Sequence, residues 1–132
     1  MGFFRGLAID VSGEGRSRLD LKLGAVVPIT DLARWAGMTA GVACASTIAR
    51  LDAASDIGTL TASDAHTLRD AFELVSQLRL DHQVAQIEAG AEPGDVIALD
   101  ELSPLVRTYL KEAFRAVVSV QRHVANDLAW NA

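Results

Sequence analysis

Ser103-Pro104-Leu105-Val106-Arg107-Thr108-Tyr109-Leu110 opens the stretch on which the fold turns. A serine hydroxyl can accept from the free N–H groups of a first helical turn. A proline fits the first helical position because the N–H it lacks would have no partner there. Beyond this start, Leu110, Ala113, Val117, Val120, Val124 and Leu128 follow Val106 at helical spacing almost to the C-terminus. Working backwards, Thr61 or Ser63 caps a second segment that reaches Gly90 with no internal Gly or Pro. Leu68, Phe72 and Val75 form its apolar stripe, with Leu78 beside it. Each segment would make a helix of about 40 Å at 1.5 Å per residue. Ala91-Glu92-Pro93-Gly94-Asp95 reads as the loop between them, and helices so joined pair antiparallel.

Further towards the N-terminus the pieces shorten. Pro28 suits a first turn, and Asp31 near it complements the helix dipole. Ile29, Leu32, Ala33 and Ala36 supply a stripe that Gly37 is expected to end. Ser46 caps a second short helix carrying Ile48, Leu51 and Ala54, with Gly58 as its stop. Before Gly24 the period changes to two. Leu7, Ile9 and Val11 alternate, Ser12 to Ser17 is rich in turn formers, and Leu19, Leu21 and Leu23 alternate again. That pattern reads as a β-hairpin with an apolar face that must lie on the rest of the domain, a helix being the alternative for the first, six-residue run. The reading is a mainly α fold of one domain over residues 1–132: a hairpin over 1–24 and a helical bundle over 28–130, with two long antiparallel helices and two short ones.

Composition narrows the function. The 132 residues are half hydrophobic, poor in aromatics, and carry 12 basic against 17 acidic side chains for a net charge of −5. The whole chain shows no basic footprint, so no nucleic-acid partner is expected. Cys44 is the single cysteine and no internal disulfide can form, which fits a reducing, cytoplasmic setting. No apolar run approaches the roughly 20 residues of a membrane helix.

No metal-binding motif is present. His66, His82 and His123 are scattered, without a His-x-x-x-His or Cys-x-x-Cys spacing. Cys44 lies among small apolar residues and reads as a buried thiol. Gly13-Glu14-Gly15-Arg16-Ser17 lacks the Gly-Lys-Ser/Thr ending of a phosphate loop and serves as a turn. The informative stretch is Gln77-Leu78-Arg79-Leu80-Asp81-His82-Gln83. Arg79, His82, Gln83 and Gln86 share one helical face that continues the line of Leu68, Phe72 and Val75. Polar groups on an inward-looking face need partners or line a cavity. Two readings follow: a satisfied cluster that fixes helix packing, or a polar pocket. Arg34 near Asp31 and Arg50 beside Asp52 suit anion contacts or surface ion pairs.

Four blocks together resemble the nucleotidyltransferase substrate-binding domain family: Leu19-Asp20-Leu21-Lys22-Leu23-Gly24 with Pro28-Ile29 and Ala33-Arg34; Ser46-Thr47-Ile48-Ala49-Arg50-Leu51; Ala71-Phe72 with Leu78-Arg79-Leu80-Asp81-His82-Gln83; and Leu102-Ser103-Pro104-Leu105 with Leu110-Lys111-Glu112-Ala113. The resemblance spans nearly the whole chain. It implies the C-terminal part of a longer bacterial signal-transduction protein, with an upstream nucleotidyltransferase domain like that of PII uridylyltransferases. CBS and cyclic-nucleotide-binding domains are implied further upstream. Magnesium and a nucleoside triphosphate are implied only for that catalytic domain, with no cofactor here. No catalytic residue carries over, because Asp20-Leu21-Lys22 puts a lysine where a paired Asp-x-Asp has its second acid. The motif residues Asp20, Lys22, Arg34, Thr47, Arg50, Arg79, His82 and Lys111, with Gln83, form a pool for substrate contact or domain docking.

The function expected is therefore a non-catalytic substrate-binding or regulatory domain that packs against a separate catalytic domain and helps hold the acceptor substrate. The alternative is a structural interaction or dimerisation module without a small ligand. A helical toxin ribonuclease fits worst, since Arg79 and His82 lie too close and Arg115 and His123 too far apart for its Arg/His pair.

Overall fold

The computed structural model describes residues 10–11, 17–42 and 46–131. Its elements are strands β1 (Asp10–Val11) and β2 (Ser17–Asp20), a π-helical turn (Lys22–Val26), helices α1 (Val27–Thr39), α2 (Thr47–Asp56) and α3 (Ala62–Glu88), strand β3 (Val96–Ala98), a 3-10 turn (Leu99–Glu101) and helix α4 (Pro104–Asn131). The mainly α class, the two long and two short helices and the N-terminal hairpin are all present.

The long helices start where their caps dictate. The Ser103 hydroxyl accepts from Val106 N at 3.2 Å, and Thr61, rather than Ser63, accepts from Asp64 N at 3.0 Å. They run antiparallel: Asp64, early in α3, meets His123, late in α4, while Leu74 and Tyr109 line one groove farther along. Leu68 and Val75 of α3 and Leu110, Val117 and Val120 of α4 are buried between the layers. Ile29, Ala33 and Ala36 of α1 and Leu51 and Ala54 of α2 join the same core. Phe114 and Val118, outside the expected stripe, are also buried, whereas Leu128, expected within it, is 52% exposed. Leu128 lies instead at an open groove towards α1.

Three local expectations are corrected. Leu23 does not extend the strand: the chain turns helical at Lys22, so Leu21 is fully buried and Leu23 is 62% exposed. Asp20 drives the change, its Oδ1 accepting from Leu23 N at 2.9 Å. The first turn is wide, with Val27 N donating to Lys22 O. Pro28 explains this, since it has no N–H for Gly24 O and its ring would press on that carbonyl in a tighter helix. Gly37 does not stop α1 either. The helix runs to Thr39, and Gly41, at φ +76°, makes the left-handed exit. Gly37 is needed for close approach instead: a Cβ there would meet Cγ of Arg50 at 3.0 Å. Finally, the segment after Asp95 is not only loop. Val96–Ala98 pairs antiparallel with β2, with Leu19 opposite Ile97, and turns the hairpin into a three-stranded sheet. Leu19 and Ile97 face the core at 4% exposure each, while Arg18, Val96 and Ala98 alternate outward. Leu7, Ile9, the turn residues 12–16 and Cys44 lie outside the described residues.

Candidate functional site

Helix α3 changes character along its inner face. Up to Val75 that face is buried and apolar; beyond it come Arg79, His82, Gln83 and Gln86. The loop that returns from α3 closes on this polar half. The Arg79 guanidinium donates through Nε to Asp95 Oδ1, and Gln83 Nε2 donates to the same oxygen at 3.1 Å. Gln83 Nε2 also reaches Gly94 O at 3.3 Å, and Gln86 Oε1 accepts from Gly94 N at 2.8 Å. The backbone of Asp95 completes the knot, its carbonyl accepting from Leu21 N at 2.9 Å. Three elements meet at one acidic residue: α3, the loop before β3, and the end of β2. Arg79 and Asp95 retain 33% and 23% side-chain exposure, so water screens their pair only partly.

Beside this knot lies a cleft of about 360 Å³, lined by Arg18, His82, Gln86, Asp95, Val96 and Glu101, with Gly94 and Ala98 between them. The outward positions of β2 and β3 form one wall and the C-terminal half of α3 the other. Among the described residues, His82 Nε2 is the single buried side-chain nitrogen or oxygen with no hydrogen-bond partner. Buried polar atoms are nearly always paired, so an orphan at the edge of a cleft marks a place where a polar group from outside is favoured. Gln86 spends its oxygen on Gly94 and keeps its amide hydrogens. Arg18 adds a guanidinium and Glu101 a carboxylate. Hydrogen-bond donors and acceptors stand close together here, with charges that nearly balance.

The polar stripe is divided by residue. Arg79 and Gln83 satisfy each other's surroundings and fix the loop, whereas His82 and Gln86 line the cleft. The other motif residues are dispersed. Asp20 serves the helix start, Lys22 is exposed, and Arg34 pairs with Asp31 at 3.4 Å on the surface. Thr47 begins α2 behind Ser46, whose hydroxyl accepts from Ala49 N at 3.2 Å. The Arg50 stem lies on Gly37, and Asp52 is taken not by Arg50 but by Arg69 of α3 at 3.4 Å. Lys111 is exposed on α4. His66 and Asp70 form an exposed pair at 3.1 Å, and His123 meets the largely shielded Asp64 at 3.1 Å. Asp95, Arg18 and Glu101 were missed from sequence. Asp95 had a signal: an acid in the loop after α3 able to fold back onto an arginine in the C-terminal half of that helix.

Among the described residues no three His, Cys, Asp or Glu side chains come together as metal ligands. Asp20, the one acid of the Asp20-Leu21-Lys22 block, is engaged by Leu23 N and has an ammonium-bearing neighbour. This donor set does not fit a magnesium triphosphate. No described helix is long and apolar enough to cross a membrane. Residues 1–128 match a family model described as "Putative nucleotidyltransferase substrate binding domain". No curated protein and no solved structure matches the chain.

Proposed function

We infer the role of this chain from the family to which it belongs, the nucleotidyltransferase substrate-binding domains: it holds the acceptor substrate for a separate catalytic domain and transfers no nucleotide itself. The observation that carries this reading is the orphaned His82 Nε2 beside a polar cleft; among the described residues the acids do not assemble a metal site. Magnesium and the nucleoside triphosphate then belong to the catalytic domain. The lining favours a small acceptor that carries hydroxyl or amine groups. Arg18 and the Gln86 amide donate, Glu101 accepts, and His82 does either according to its tautomer. A simple anion would meet two carboxylates, Asp95 and Glu101, and is disfavoured. The Asp95 knot holds the cleft walls in register, which lowers the cost of ordering them around a ligand.

The test is transfer of labelled nucleotide in a small-molecule cell extract, with the catalytic domain and this chain added singly and together. Labelled product is expected only with both. His82→Ala and Gln86→Ala should raise KM for the acceptor and leave KM for the triphosphate alone. Transfer by this chain without the catalytic domain would overturn the assignment.

One observation favours a second reading, a packing module without a small ligand. Leu23, Val27, Leu32 and Trp35 face Val124 and Leu128 across an open groove of about 440 Å³. A cleft that binds no extract component, in a chain that light scattering shows as a dimer, would favour it.

A further inference from the structure

We propose that the outer face of α3 over its last turns, formed by Leu80, Val84 and Ile87, docks a basic amphipathic helix of a partner protein. The inference goes beyond the substrate-binding reading and does not depend on what the cleft binds. The three side chains follow at i, i+4 and i+7, the spacing of one helical face. They are 55%, 44% and 60% exposed. At 100° per residue they fall within about 60° of arc. Nearer the start of the helix the same arc passes through Ala62, His66, Arg69 and Glu73, and each of these is exposed as well. This is the outward side of α3 along its whole length.

The polarity of the helix inverts along its axis. In the first half, His66, Arg69 and Glu73 meet water while Ala65, Leu68, Ala71 and Val75 are buried. Leu78 is the last apolar side chain of α3 packed on the core. Beyond it Arg79, His82, Gln83 and Gln86 hold the inward positions, and the large apolar side chains lie outside, where they add nothing to the core. Val84 and Ile87 also favour a helix less than the glutamine, lysine or glutamate that a solvated position would take. Single exposed hydrophobic residues are ordinary, but three in one row make a patch of the kind that meets a partner.

The chemistry of that partner follows from the flank. Asp81 and Glu88 stand on the same side of the row, within about 100° of Leu80, and both are exposed. Asp81 accepts from the neutral Gln77 amide at 2.8 Å, and the nearby Arg79 is spent on Asp95. Glu88 has no ion-pair partner among the described residues. It is the last residue of the helix, and the last turn holds no base, so its carboxylate adds to the negative end of the dipole. A lysine or arginine from outside relieves both charges. An apolar row with a basic flank is thus the complement of this face, whereas a nucleic acid or an anionic lipid surface is repelled by it.

A second copy of the chain is disfavoured. A two-fold pair brings the same patch together from both sides. Antiparallel, Asp81 and Glu88 would face their own counterparts; parallel, they would face Ser76 and Gln83, which carry no charge. A stable interface between folded chains also takes about 800 Å² and about 20–30 residues from each. Three side chains in line suit a single helix laid along α3.

The test titrates the whole chain by calorimetry with a helical peptide of about 18 residues, leucine along one face and lysine elsewhere, and with a twin bearing glutamate for lysine. The lysine peptide should bind about tenfold more tightly than its twin or better, and the preference should shrink between about 50 and about 300 mM salt. Leu80→Gln with Val84→Gln should weaken its binding about thirtyfold. Both positions are exposed and glutamine suits a helix, so the thermal midpoint should fall by no more than about 3 °C. Glu88→Lys should weaken binding about tenfold and hold or raise the midpoint, because it complements the dipole. Equal binding of the twins overturns the basic partner. Binding that ignores the double substitution, or no binding at all, overturns the face. A larger fall in midpoint assigns Leu80 and Val84 to the fold and overturns it too. A dimer in light scattering that the double substitution dissolves overturns the choice of partner in favour of a second copy.

Discussion

Replacing Asp95 by alanine should loosen the molecule at one identifiable place. The substitution removes the acceptor shared by Arg79 Nε and Gln83 Nε2 but leaves the bond from Leu21 N to the residue-95 carbonyl intact. A hydrogen bond to a charged group contributes about 1.5–3 kcal/mol when shielded. The pair is 33% and 23% exposed, so screening reduces the Arg79 contribution to about 1–1.5 kcal/mol. Loss of the Gln83 bond adds about 0.5–1 kcal/mol, giving a total of about 2 kcal/mol. With an unfolding entropy of about 2.1 cal/mol/K per residue, a chain of this length should lose roughly 7 °C in melting temperature. Thermal unfolding followed by far-ultraviolet circular dichroism measures the shift, and urea denaturation should give a lower midpoint at unchanged slope. A cycle with Arg79→Ala should return a coupling of about 1 kcal/mol. A fall smaller than about 2 °C, or no coupling, would show that the knot does not hold the loop on α3, and the wall of the cleft would lose its explanation.

Three further outcomes test the frame around the site. Leu68→Ala empties a fully buried position in the shared core and should cost about 2–5 kcal/mol, read as a lower urea midpoint. Ser103→Ala removes the cap of α4 and should cost about 1 kcal/mol, with faster hydrogen exchange confined to the first turn of that helix. Gly41→Ala forces a side chain into a left-handed backbone at φ +76° and should cost about 1 kcal/mol although no atom crowds the new methyl group. A neutral Gly41→Ala would mean that the α1 exit can re-form another way.

The sequence by itself determined the helices, because caps and apolar spacing act within a few residues. Ser103, Thr61 and Ser46 start their helices and Gly58 ends one as their local chemistry requires. The inward polar stripe on α3 was legible for the same reason, since face and period are local properties. Tertiary structure decided what local rules cannot reach. Whether Leu23 joins a strand depended on Asp20 turning the chain at Lys22, and whether Gly37 ends a helix depended on the arrival of Arg50 from α2. Strand β3 exists because β2 offers it an edge, and three residues carry too short a pattern to announce themselves. Most of all, the partition of the stripe into a fastened half and an open half was fixed by where Asp95 lands. That position results from packing two long helices, a long-range constraint that the order of residues along α3 does not contain.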